Sequence, residues 1–297
     1  MSETHFVTDL APLLPNYDGF LVDQFGVLHD GRNPLPGVVK ALNRLRAAGK
    51  RVVVLSNSGK RAAVNEARMT ALGLDRGLYT AMMSSGEVAW KGFRDRRDPP
   101  FASLGRSCLF FSRGGDRSAV EGLDLELVDD PASAEFVFLT GLDPEPDGGN
   151  RVQTLLSEAR QLDLPLLCSN PDLTAVEGDR LAPGPGQIAQ DYAAAGGRVH
   201  WVGKPAQPIY KAALECLGLL RSRVLAVGDS LDHDVAGAAS AGLDSALLTS
   251  GIHRAAFGDA ETPADRLHGL AELRAAKPNS PAPTWLMSGF FFKEDVA

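Results

Sequence analysis

Apolar residues along this chain fall into two alternating patterns. Short unbroken runs rich in β-branched and aromatic residues predict buried strands, and longer stretches with apolar residues three and four apart predict amphipathic helices. The first strand is GFLVD, residues 19–23. Helical spacing follows over 35–50 (LPGVVKALNRLRAAGK), then a β-branched run over 51–59 (RVVVLSNSG) and a second helix over 60–74 (KRAAVNEARMTALGL). AMMSSGEVAW, residues 81–90, reads as a short strand running into a helix. A second series opens near residue 87, with strands in SCLFFS (107–112), FVFLTGL (136–142) and LPLLCSN (164–170) and helices over 149–163 and 186–197. A third opens near 198: strand RVHWVGK, a helix over 208–220, strand RVLAVGD, a helix over 234–243, strand DSALLTSG and a helix over 264–277. PTWLMSGFF, residues 283–291, reads as a last edge strand or a short docking segment. This alternation predicts an α/β fold, a doubly wound and largely parallel sheet covered on both faces.

Length and composition narrow the class. The 297 residues allow one large domain or two medium ones. Hydrophobic residues make up 44% and charged residues 23%, the balance of an ordinary globular protein. A net charge of −7 gives no attraction to nucleic acid or to an anionic membrane. Cys108, Cys168 and Cys216 lie in unrelated contexts, which argues for reduced thiols in a cytoplasmic protein rather than a disulfide framework or a zinc site. The N-terminal stretch shows no basic segment followed by an apolar core, and no apolar run approaches the ~20 residues of a membrane helix.

Several predicted strands end on polar residues suited to one reaction. Asp23 ends the first; Ser56 and Asn57 end the second, with Ser58 next; Lys204 ends RVHWVGK; Asp229 ends RVLAVGD, with Asp232 and Asp234 following in GDSLDHDV. In a doubly wound parallel sheet the carboxyl-terminal strand ends share one edge, where ligands bind, so these residues can converge. Their types fit phosphoryl transfer. A phosphate dianion repels an attacking carboxylate until its charge is neutralised, and Mg²⁺ does that with hard oxygen ligands. Asp23 and Asp229 are candidate ligands, and Asp23 is the candidate nucleophile, passing through an aspartyl-phosphate. Ser56, Asn57, Ser58 and Lys204 are candidate phosphate-binding residues, the hydroxyl and backbone N–H groups holding oxygens and the lysine adding fixed charge. Taken singly, Asp23 reads as a turn former, GDSLDHDV as a solvated helix cap and Lys204 as a surface lysine. Their order along the chain favours the joint reading.

These stretches resemble the haloacid dehalogenase (HAD) superfamily, in its class IIA branch of NagD-like and p-nitrophenyl phosphatase-like hydrolases. VDQFGVLHDG resembles the family's first motif, LSNSGK the second, VGKP (202–205) the third and VGDSLDHDVAGAASAGLDSALLTSG (227–251) the fourth. SSGE (84–87), GLDPE (141–145), SNPD (169–172) and APGPGQI (182–188) resemble phrases of its cap region. The resemblance spans almost the whole chain in order. It implies a Rossmann-like core from residues 1–86 and 198–297, with a large α/β cap from residues 87–197 inserted between the second and third motifs. It implies Mg²⁺ held by Asp23, the main-chain carbonyl of Phe25 and Asp229, with Asp234 and Asp232 supporting the metal or the lysine. The implied activity is that of a cytoplasmic, Mg²⁺-dependent phosphatase acting on a small phosphate ester, and a homodimer built through the cap is compatible with the family. Specificity is expected from polar cap loops at 111–119 and 141–150, with the cap closing over Asp23.

One position departs from the family's pattern. The first motif of the family carries a second aspartate, two residues after the nucleophile, which protonates the leaving oxygen and later deprotonates the hydrolytic water. Here that residue is Phe25. A ligand supplied by its main chain is unaffected; the proton shuttle is lost, and such help is worth roughly 10²–10⁴ in rate. One explanation is a substrate with a good leaving group. Another is a different shuttle, His29 in GVLHDG or, more weakly, His233. A third is a protein that kept phosphate or nucleotide binding and lost turnover. Dehalogenase members carry an aromatic residue at this place, but they use no metal, whereas this chain keeps the acids a metal site wants.

Overall fold

The computed structural model describes residues 4–143, 150–177, 180–258 and 260–296. In chain order the strands of the first half are β1 (His5–Val7), β2 (Gly19–Asp23), β3 (Arg51–Ser56), β4 (Ala81–Ser84), β5 (Ser107–Phe111), β6 (Glu126–Val128) and β7 (Phe136–Leu139). Those of the second half are β8 (Leu166–Cys168), β9 (Thr174–Glu177), β10 (Arg180–Pro183), β11 (Val199–Trp201), β12 (Val224–Gly228), β13 (Asp244–Leu248) and β14 (Trp285–Met287). The chain divides into two compact units: Met1–Ser56, Glu66–Met83 and Lys204–Ala297 form the first, and Asn57–Asn65 with Ser84–Gly203 the second.

The first unit is built on a seven-stranded sheet in the order β1-β14-β13-β12-β2-β3-β4. The pairs from β1 through β3 are parallel. Continuous apolar runs suit such strands because helices cover both faces. Phe20, Leu21 and Val22 of β2 are buried, as are all five residues of β12. The helix Val38–Ala47 buries Val38, Ala41, Leu42 and Leu45, the three-and-four spacing of one face. Leu231, Val235, Leu247, Phe257, Leu270 and Leu286 form an apolar cluster of this unit. The segment 283–291 is not an edge strand. β14 lies inside the sheet, and β1, a strand with no signal in the apolar pattern, pairs along it from His5↔Trp285 to Val7↔Met287.

The second unit carries a five-stranded parallel sheet, β11-β8-β7-β5-β6, and an antiparallel hairpin of β9 and β10. Leu109, Val137, Leu139, Leu166 and Cys168 from its strands pack with Leu156, Ala159, Ala189 and Tyr192 from helices Arg151–Gln161 and Pro185–Ala194. The units divide at 83/84 and 203/204 rather than at the expected 86/87 and 197/198. Residues 199–201 pair with β8, and Val202 N–H donates to Cys168 O at 3.0 Å, so this strand belongs to the second sheet. Residues 57–65 also go with the second unit. There Arg61 pairs with Glu87 at 2.5 Å, and Ser84 Oγ donates to Lys60 O at 2.6 Å. Of the loop at 141–150 expected to meet substrate, positions 144–149 lie outside the described residues. Among the described residues no helix is long and apolar enough to cross a membrane.

Candidate active site

The chain runs outward from β2 through β3 to β4, and later outward the other way from β12 through β13 to β14. The boundary between β2 and β12 is therefore the switch point of the sheet, where a crevice forms beyond the carboxyl ends of the strands. Asp23 is the last residue of β2, and Asp229 follows directly on β12. Lys204, the first residue of the returning chain, donates from Nζ to Asp23 Oδ1 at 2.5 Å and to Asp234 Oδ1 at 2.7 Å. All three side chains are nearly enclosed, at 3% exposure for Lys204, 12% for Asp23 and 8% for Asp234. Asp23, Asp229 and Asp234 each offer an oxygen within 4.8 Å of the others, a grouping that could hold a metal ion.

Glycines make this crowding possible. A Cβ at Gly26, where φ is +83°, would lie 2.2 Å from Asp229 Oδ2, and one at Gly251 would lie 2.0 Å from Asp229 Cβ. Asp229 Oδ2 accepts the Ile252 N–H at 3.0 Å, and Asp234 Oδ2 accepts the Ser230 N–H at 3.1 Å. Burial, with Asp234 and Asp229 as like charges, pushes the Asp23 carboxyl well above the usual range against the pull of Lys204. Burial and then Asp234 raise Asp229 to about 6. Burial alone would lower Lys204, but Asp23 and Asp234 override it, and the amine is held as an ammonium.

The remaining candidates have contacts of their own. Asp232 is not drawn into this group; its carboxylate bonds Lys277 Nζ and accepts Ser280 Oγ at 3.2 Å. Ser56 ends β3 and is buried. Asn57 and Ser58 belong to the second unit, where Asn57 Nδ2 donates to Asp172 Oδ1 at 2.8 Å and Ser58 O accepts the Gly86 N–H at 3.1 Å. His29 is buried beneath the Phe25 ring, edge to face at 5.8 Å between centroids. Its Nδ1 accepts the Gly31 N–H at 3.0 Å, and its Nε2 lies 3.0 Å from the Gln24 side-chain amide. Burial and the charge of Arg68 push the imidazole down to about 4. Two residues near the acids carried no sequence signal. Ile252 binds Asp229 through its main chain, and His253 Nε2 accepts the Leu231 N–H at 3.3 Å. Both sit just beyond the TSG that closes the fourth motif.

A haloacid dehalogenase-like hydrolase model matches residues 20–126, and a HAD-hydrolase-like model matches residues 201–273. Chronophin of Mus musculus is 30% identical over 251 residues, covering 82% of this chain and 84% of that protein. The 4-nitrophenylphosphatase of Schizosaccharomyces pombe is 26% identical over 254 residues, covering 79% of this chain and 84% of its own. A solved haloacid dehalogenase-like family hydrolase from Brucella suis is similar with a TM-score of 0.78 at 29% identity, covering 96% of this chain and 99% of that one. The chain belongs to the haloacid dehalogenase-like hydrolases, in their class IIA, NagD-like phosphatase branch.

Proposed function

We propose that this chain is a Mg²⁺-dependent phosphatase that hydrolyses a small phosphorylated metabolite through an aspartyl-phosphate on Asp23. The observation that carries the reading is the Lys204 ammonium bonded at once to Asp23 and Asp234, beside Asp229. Three carboxylates around one ammonium leave an excess negative charge that a divalent cation offsets, and carboxylate oxygens suit Mg²⁺. Asp23, Asp229 and the main-chain carbonyl of Phe25 would hold the ion, which when bound neutralises charge on the phosphate. The close approach of Gly26 and Gly251 to Asp229 fits a carboxylate held in a fixed orientation.

In this mechanism an Asp23 oxygen attacks phosphorus. The ester P–O bond breaks, and its electron pair leaves with the departing oxygen. Lys204 opposes the burial and like charges that favour the protonated Asp23 carboxyl, pulling it toward the carboxylate that the attack requires. The Ser56 hydroxyl, at the end of β3, donates to a non-bridging oxygen. Water then hydrolyses the acyl phosphate, returning the Asp23 carboxylate and releasing inorganic phosphate. Residue 25 supplies no proton to the leaving group, and His29 does not replace it: its ring is buried, both nitrogens are engaged, and a pKa of about 4 keeps it neutral. Phenolates and carboxylates depart readily without that proton; alkoxides do not.

The test compares p-nitrophenyl phosphate and acetyl phosphate with a sugar phosphate, in the wild type and in Phe25→Asp. The wild type is expected to favour the first two, and Phe25→Asp to narrow the gap by roughly 10²-fold or more. Equal rates on all three in the wild type would overturn the leaving-group argument. Acetyl phosphate is expected to label Asp23; no label would leave a protein that binds phosphate or nucleotide without turnover.

A further inference from the structure

Phe25 has no part in the chemistry above beyond its main chain, yet the residue is 51% exposed while its neighbours Gln24, Val27, Leu28 and His29 are buried. The turn beneath it is closed by backbone hydrogen bonds. Leu28 N–H and His29 N–H both donate to Gln24 O, at 3.0 and 3.3 Å, and Gly26 N–H donates to His29 O at 2.9 Å. The Phe25 ring rests edge to face on the His29 ring at an interplanar angle of 86°. His29 is fixed in turn by the Gly31 N–H and lies against the Gln24 amide. A single exposed phenylalanine is ordinary. This one is framed and stands one residue from Gly26, whose Cβ position lies 2.2 Å from Asp229 Oδ2.

A second group meets it there. Arg68, on the helix Ala62–Ala71, is exposed. Its Nη2 lies 3.7 Å, and the Phe25 Cε2 lies 3.0 Å, from the same methyl-sized point above Gly31. Among the described residues the Arg68 guanidinium makes no ion pair. Asp30, the acid of the same turn, directs Oδ1 at the Arg32 and Asn33 N–H groups, at 2.8 and 2.7 Å. An exposed aromatic ring and an uncommitted planar cation thus share one spot, over Gly31 in the turn that follows Asp23. Aromatic rings bind flat apolar groups, and a guanidinium binds carboxylates in a planar fork.

We propose that Phe25 and Arg68 form a leaving-group subsite for a planar aromatic group bearing a negative charge, such as a carboxyphenyl phosphate. The proposal rests on the phosphatase reading and narrows its substrate class. It also gives one residue two consistent effects. The side chain that takes the place of a proton shuttle selects leaving groups that depart without one.

The test measures kcat/KM for 3-carboxyphenyl phosphate against its neutral 3-carbamoylphenyl analogue, in the wild type, Arg68→Met and Phe25→Leu. The ratio of two substrates in one preparation does not depend on how much of a variant is folded. The wild type is expected to prefer the carboxylate about tenfold, chiefly through KM, and Arg68→Met to bring the ratio near one. Phe25→Leu is expected to lower both aryl rates several-fold relative to acetyl phosphate. No preference in the wild type, or a preference that survives in Arg68→Met, overturns the subsite while leaving the phosphatase reading intact. No phosphate release from any ester overturns the phosphatase reading instead.

Discussion

Lys204 and His29 show how burial alone does not give a polar residue its role. Both are almost wholly enclosed. Lys204 faces two carboxylates, so its charge is retained and its removal would leave Asp23 and Asp234 as buried like charges. His29 faces a backbone N–H and an amide, so its neutral form is retained. The consequence has a sign. The unfolded imidazole titrates near 6.5 and the folded one near 4, so the unfolded chain takes up the proton first as pH falls. The stability that neutral His29 provides is present above 6.5 and is lost as pH falls toward 4. His29→Gln is expected to flatten that part of a stability–pH curve measured by urea unfolding. The pH profile of kcat/KM between 5 and 8 is expected to keep its shape; loss of a limb there would return His29 to the role of proton shuttle.

Elements set what single residues cannot. Asp229 is held by the turn that follows β13, where Ile252 N–H donates to its Oδ2. His253, next in that turn, accepts the N–H of Leu231 at the start of the π-helical turn Leu231–Val235, which carries Asp234. His253 thereby ties the support of one acid to the segment bearing another. Groups that orient metal-binding carboxylates typically contribute 10–100-fold to affinity. His253→Ala is expected to weaken Mg²⁺ binding by about that factor in titration calorimetry, and His253→Asn, which keeps an acceptor, to recover part of it. Unchanged affinity in His253→Ala would leave the turn held by Ile252 alone. This link was not legible in the sequence, since no spacing rule joins residue 253 to residue 231. Asp23, Lys204, Asp229 and Asp234 were legible, because each ends a predicted strand or follows one closely. Asp232 was misplaced: in the π-helical turn its side chain meets Lys277 and Ser280 rather than the acids. Strand partners are also set outside the strand itself. The apolar run at 199–201 was recognisable, but nothing local told that it pairs with β8. Three-residue β1 is too short to show a period, so its pairing with β14 was invisible.

The sheet as a whole stacks Asp23, Asp229 and Asp234 at its switch point in the first unit, and the stability of the fold must answer to that charge. Asp229 is raised from 3.8 to about 6, chiefly by burial. Between those values the folded protein binds more protons than the unfolded chain, so this contribution to metal-free stability is present at low pH and is lost as pH rises through about 6. His29 acts in the opposite direction, so the two are best separated in the His29→Gln background. Held by these carboxylates as proposed, Mg²⁺ would compete with the proton for the same oxygens and is expected to bind poorly at pH 5 and well at pH 7.5. At a hundredfold excess over its dissociation constant, a ligand bound only by the folded state stabilises it by ~2.7 kcal/mol. Thermal unfolding with EDTA or Mg²⁺ is therefore expected to show a Mg²⁺-dependent rise at pH 7.5 that shrinks toward zero at pH 5 and disappears in Asp229→Asn. A rise of equal size at both pH values would mean that the cation binds somewhere other than these carboxylates.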